Sequence, residues 1–232
     1  MKLLHLKYPY PRVMERHKTT VGGRQSASPS KTVRRCGCGL IACCDLLYYL
    51  RTIENWEHGT EQEAVCGVSI PIEEYQARLS ALQKRYFPLC YPFGTTGVQL
   101  AFGLNRIFRK QKLPLRARWC CTERQFWSRM QAQLEQNLPV IVSVGPNFPL
   151  FWQKHRLPLC QKAADGVYIC TDSAVSHFFT VIGMDDLWMR VVSWGRLYEI
   201  SREAYSDFVN KHSCWLFSNL IELQKKEHRR LP

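Results

Sequence analysis

Residues 36–50 read C-G-C-G-L-I-A-C-C-D-L-L-Y-Y-L. Cys38 and Gly39 stand directly before an apolar run long enough for three helical turns, with Asp45 as its only charge. A run that is apolar on every face predicts a helix from about Gly39 to Arg51, buried nearly all round. The N-terminus of a helix carries partial positive charge and unpaired N–H groups, which bias a thiol there towards the nucleophilic thiolate. Cys38 is therefore the candidate nucleophile. Cys36 competes for the role, but it precedes the helix and loses the dipole; Cys44 is mid-helix and reads as core packing.

The chain has 232 residues, 46% of them hydrophobic, which is material for one globular unit or two small lobes. No window approaches ~18 uninterrupted apolar residues, so no membrane span is expected. Met1 to Arg12 lacks the apolar block of a secretory signal, which points to a cytoplasmic protein. Eleven cysteines are present, and the neighbouring pairs Cys43/Cys44 and Cys120/Cys121 lie in apolar segments. Most are expected as reduced core residues rather than a disulfide framework. A zinc site over C-x-C-x4-C-C is the rival, but a helix points Cys43 and Cys44 apart and no second knuckle exists. No cofactor and no metal are expected.

The net charge of +13 is concentrated at the ends. Residues 1–35 carry nine Lys/Arg against Glu15 alone, and residues 224–232 form a basic tail; the body between is close to neutral. A basic arm hints at acidic partners, nucleic acid among them, although a solvated tail explains the same composition.

Along the chain, residues 1–35 are too polar to pack alone and read as a flexible or loosely docked arm. The buried helix is followed by a polar loop at Asn55, Gly59 and Thr60. Pro71 with Glu73 and Glu74 opens a helix that carries Tyr75, Leu79 and Leu82 and closes before Pro88. A second starts at Thr96 and a third covers Glu123 to Gln136. Then the period changes. Val140–Val144, Val167–Cys170, Phe178–Gly183, Trp188–Trp194 and Arg196–Ile200 read as strands, Arg202–Val209 as a helix capped by Ser201, and Cys214–Leu223 as a last strand. Helices first and an antiparallel sheet after make an α+β arrangement of two packed lobes, a helical half over 36–137 and a β half over 138–223.

A thiol needs a base. His177 opens a strand in A-V-S-H-F-F-T-V-I-G, where a rigid element can aim it, while the other histidines lie in polar or terminal stretches.

At this point the residues resemble the papain-like cysteine peptidase superfamily: a cysteine at a buried helix start, a helical half, then a histidine opening a strand and S-W-G ending a later one. The C-G-x-x-A start at Cys38 is similar to the bacterial branch that includes double-glycine-leader peptidases. In papain-type enzymes a glycine follows the catalytic histidine by six positions, as Gly183 follows His177, and a tryptophan-glycine pair lies further along, as Trp194-Gly195 does here. The resemblance implies a papain-like fold, Cys38 as nucleophile, His177 as general base and acid, Trp194 as a shield over the imidazole and the Cys38 N–H as one oxyanion donor.

Two positions depart from the pattern. Val192 stands where the family has an orienting Asn, which leaves the adjacent Ser193 to hold the imidazole. The glutamine expected about six residues before the cysteine is replaced by Lys31 and Thr32, which leaves Arg34 or Arg35 as the second oxyanion donor. Gly22-Gly23 resembles a double-glycine cleavage site, although a flexible glycine pair in a loop is the preferred explanation. The expected activity is thiol-dependent hydrolysis of a peptide or protein through an acyl-enzyme. The alternative is a papain-fold binding protein without the chemistry that engages acidic partners through its basic arm. Oligomeric state is not fixed by the sequence.

Overall fold

The computed structural model describes residues 3–16, 18–58 and 69–226. The loop expected at Gly59 and Thr60 and the tail beyond Lys226 lie outside these residues. In chain order the elements are β1 (Leu4–His5), β2 (Arg12–Glu15), β3 (Lys18–Val21), a 3-10 turn at Gln25–Ala27, α1 (Lys31–Cys36), α2 (Cys38–His58), β4 (Ser69–Pro71), α3 (Ile72–Arg85) and α4 (Gly97–Lys110). They continue with β5 (Leu115–Trp119), α5 (Phe126–Glu135), β6 (Val140–Val144), β7 (Leu157–Lys162), β8 (Tyr168–Ala174), β9 (His177–Met184), β10 (Trp188–Ser193), β11 (Arg196–Ser201), α6 (Arg202–His212) and β12 (Leu220–Lys225).

Every residue from Leu40 to Leu50 is buried, which is what an all-round apolar helix requires. α2 runs on to His58 rather than stopping at Arg51, because neither Gly nor Pro interrupts it before Gly59. α3 follows Pro71, holds Glu73 and Glu74 in its first turn, and buries Tyr75, Leu79 and Leu82. α4 is fixed by a capping box between Thr96 and Gln99 and packs Leu100, Leu104, Ile107 and Phe108 into the same core as α2.

The strands form a large antiparallel sheet in the order β5-β12-β6-β9-β10-β11-β7-β8, with β1 added beside the end of β9. The fold is α+β. β5 lies within the stretch expected to be helical and joins the sheet through β12, which pairs with it over Ile221 to Lys225. The last strand starts at Leu220 rather than Cys214, since residues 214–218 turn through backbone bonds from Phe217 and Ser218 to the Cys214 carbonyl. β7 was not expected, because Pro158 and its polar neighbours hide it; it pairs with both β8 and β11. β7 and β8 are also joined by a disulfide, Cys160–Cys170, where the sequence reads reduced thiols.

The largest departure is at the start of the chain. Residues 3–16 and 18–36 fold into elements instead of forming the expected arm. β1 pairs with β9, the Leu6 N–H donates to the Ile182 carbonyl at 3.1 Å, and Tyr10 stacks on Tyr49 of α2 with ring centroids 6.0 Å apart. β2 sits between β3 and β4 in a small sheet, parallel to β4, and Arg24 forms an ion pair with Glu15. These segments are too short and polar to hold structure alone, and they gain it by satisfying backbone groups against the rest of the fold.

Candidate active site

Cys38 is the first residue of α2, partly buried, and His177 is the first residue of β9, buried; both line one small cavity of about 20 Å³ together with Ser193, Trp194 and Gln25. The imidazole is set in place from both sides. Val144 of β6 pairs with His177 in the sheet, and His177 Nε2 lies 2.7 Å from Ser193 Oγ. Ser193 ends β10 at a two-residue turn, Trp194-Gly195, in which both φ angles are positive (49° and 75°). That is the hairpin geometry that matches strand twist, and Gly195 accepts it at no steric cost. The turn brings the Trp194 ring to 4.5 Å from the imidazole, where it covers it. Asp185 takes no part, since its carboxylate accepts from the Leu187 and Trp188 N–H groups in its own turn.

The protonation states differ from the thiolate bias read in the sequence. Burial pushes the Cys38 thiol up, against the opposing pull of N–H groups at Phe178, Gly39 and Cys38 itself. Burial also holds His177 down at about 3, with the charge of Arg156 adding to the effect. Arg156 is fixed nearby by Ser173, to whose hydroxyl and carbonyl it donates at 2.9 and 2.7 Å. Desolvation outweighs the helix dipole here, and the resting pair is a neutral thiol and a neutral imidazole. No thiol–imidazole hydrogen bond is present among the described residues.

Neither of the arginines expected as a second oxyanion donor lines the cavity. Arg34 donates to the Ser28 and Pro29 carbonyls and Arg35 to the Tyr91 hydroxyl, so both point to the surface. Gln25 lies there instead. Its side chain lines the cavity, and its Nε2 donates to the Val33 carbonyl at 3.3 Å, which leaves one amide hydrogen free to turn inward. Thirteen residues separate Gln25 from Cys38 because α1 is inserted between them, so no search at close spacing finds it. Cys36 ends α1, buried, with its thiol on the Thr32 carbonyl at 3.1 Å, away from the cavity.

Asp45 underlies this arrangement. It faces the same cavity two turns along α2, accepts from the Gly23 N–H at 3.1 Å to each oxygen, and accepts from the Tyr75 hydroxyl at 2.7 Å. Any side chain at Gly23 would collide with the Tyr75 hydroxyl, so the glycine is needed for the backbone to reach Asp45. Gly22-Gly23 is therefore an anchored segment rather than a loose pair. Burial raises the Asp45 carboxyl to about 7, although both hydrogen bonds pull the other way.

Among the described residues no three His, Cys, Asp or Glu side chains are grouped so as to hold a metal, and no helix is long and apolar enough to cross a membrane. Comparison of the chain with protein-family models, with characterised proteins and with solved structures gave no match in any of the three.

Proposed function

We propose that the protein is a papain-like thiol acyl-transfer enzyme, most simply a cysteine peptidase. The observation that carries this reading is the joint placement of Cys38, His177, Ser193 and Gln25 around one cavity, each delivered by a different element. With Nε2 engaged by Ser193, Nδ1 is the nitrogen left to accept the thiol proton, which requires Nε2–H to donate to Ser193 Oγ. His177 takes the proton from Cys38 as sulfur attacks a substrate carbonyl. The Cys38 N–H and the Gln25 amide stabilise the oxygen on which charge develops. His177 returns the proton to the leaving amine, and water then hydrolyses the thioester with His177 again as base. Exposed aromatic residues on two loops suit apolar peptide side chains. Tyr91 and Phe93 lie on the loop that touches Cys36, and Phe151 and Trp152 lie on the loop that leaves Val144.

A second reading is favoured by two observations, the raised thiol pKa and a cavity with room for about one water. In it the constellation persists without reactivity and the chain is a binding protein for acidic partners, met by the exposed Lys31, Arg34 and Arg35. The Cys160–Cys170 disulfide favours an oxidising compartment under either reading.

Labelling with a peptide chloromethyl ketone, read cysteine by cysteine by mass spectrometry, separates the two. Under the acyl-transfer reading Cys38 is modified ahead of the exposed thiols of Cys90 and Cys121, and His177→Ala abolishes the preference. Modification of Cys38 no faster than those two would sink the enzyme reading and leave the binding protein.

A further inference from the structure

A cavity of about 560 Å³ opens where the far part of α2 meets α3 and α4. That volume lies in the range that accepts small organic ligands. Its lining includes four buried aliphatic side chains, Leu47, Leu50, Leu82 and Ile107. Three cations from three different helices converge on it: Arg51 of α2, Arg78 of α3 and Lys110 of α4.

Among the described residues the charge in this cavity is uncompensated. No carboxylate lines it among the described residues. Glu74, one turn before Arg78, accepts from the Tyr48 hydroxyl at 3.3 Å, and the Arg78 guanidinium lies 4.2 Å from the Tyr48 ring, which fixes its position. Arg51 and Lys110 belong to none of the ion pairs among the described residues. Like charges gathered beside aliphatic side chains repel one another, and an anion that also carries hydrocarbon relieves the repulsion while its tail meets the aliphatic part of the lining.

We propose that this cavity binds a free medium-chain acyl carboxylate, with the tail against the leucines and the head group between Arg51, Arg78 and Lys110. Guanidinium groups suit a carboxylate through paired N–H donors. The site is independent of the acyl-transfer reading, since Leu50 lies about 18 Å along α2 from Cys38 at the rise of an α-helix.

Calorimetric titration of the full chain with hexanoate, octanoate and decanoate tests the proposal. Affinity should rise about fourfold for each methylene buried. Decanol, which has the tail without the charge, should bind at least about tenfold more weakly than decanoate. The double variant Arg51→Glu/Lys110→Glu, both on exposed positions, should lose at least about tenfold in decanoate affinity with its unfolding temperature unchanged. Cys38→Ser should bind decanoate as the wild type does. Absence of saturable decanoate binding below ~1 mM overturns the proposal. So does equal binding of decanol, or binding to phosphatidylglycerol vesicles without binding to free decanoate. The wild-type comparison of decanoate with decanol decides the matter even if the double variant does not fold.

Discussion

The two ends of α2 face opposite conditions. At Cys38 the polar groups satisfy one another: Ser193 holds His177, Asp45 holds Gly23, and about 20 Å³ is left between them. At Leu47 to Arg51 the same helix borders about 560 Å³, with cations that no carboxylate among the described residues answers. The difference separates preorganisation from capacity. A tight polar cluster holds its geometry and leaves little room, whereas the far cavity is open and meets no counter-charge among the described residues.

The sharpest way to break that comparison is Cys38→Ser. It should lower acyl transfer on a fluorogenic peptide by a factor on the order of a thousand or more, with decanoate binding untouched. A loss below about tenfold would mean that the front of the helix performs no chemistry.

Asp45 comes next. Asp45→Ala leaves the Gly23 N–H and the Tyr75 hydroxyl buried without a partner and should cost about 2–4 kcal/mol in urea unfolding. Its titration also has a sign. With a folded value of about 7 against an ordinary 3.8, the folded chain holds a proton here that the unfolded chain has released, so this group's contribution falls as pH rises from about 4 to 7. His177 does the reverse. Its folded value of about 3 against 6.5 means that its contribution is complete above pH 6.5 and is lost as pH falls towards 3. The two oppose each other across the shared window, and Asp45→Asn should uncover the rise due to His177 as a steeper gain in stability between about pH 4 and 6.5. An unchanged slope would remove Asp45 as a titrating group.

Smaller again is the disulfide. Cys160→Ser opens a cross-link between residues ten apart and should cost about 2–3 kcal/mol, by the same unfolding measurement, with both ends of α2 unaffected. Smallest is Ser193→Ala, expected to lower kcat about tenfold while KM holds, because the imidazole loses its orienting partner. Ser193→Asn should restore part of the loss, and a KM effect instead would place Ser193 in substrate binding.

The core of α2 was legible because Leu40 to Leu50 admit no solvent face, and α3 and α4 because Tyr75-Leu79-Leu82 and Leu100-Leu104-Phe108 repeat at the helical period, the first behind Pro71 with Glu73 and Glu74 in its opening turn and the second behind the Thr96 capping box. Ser193 was legible from its neighbour Trp194. Gln25 was not, since its closeness to Cys38 depends on how α1 folds back and on the Asp45 anchor at Gly23, neither of which leaves a spacing in the sequence. β1 to β3 were hidden for a related reason: strands of two to four polar residues exist only through partners elsewhere in the chain. The thiol bias was misjudged because dipole and desolvation act in opposite directions, and only the burial of the site shows which prevails.

The position of β12 bears on how the protein is made. The strand synthesised last among those described lies between β5 and β6, which are complete about a hundred residues and about eighty residues earlier in the chain. Until Leu220 to Lys225 leave the ribosome, the nascent chain carries β5 without a partner strand, an open sheet edge at β6 and the apolar face of α4 partly uncovered. A stalled or prematurely stopped chain is thus not a smaller version of the protein but a surface that invites capture by chaperones or by its own kind.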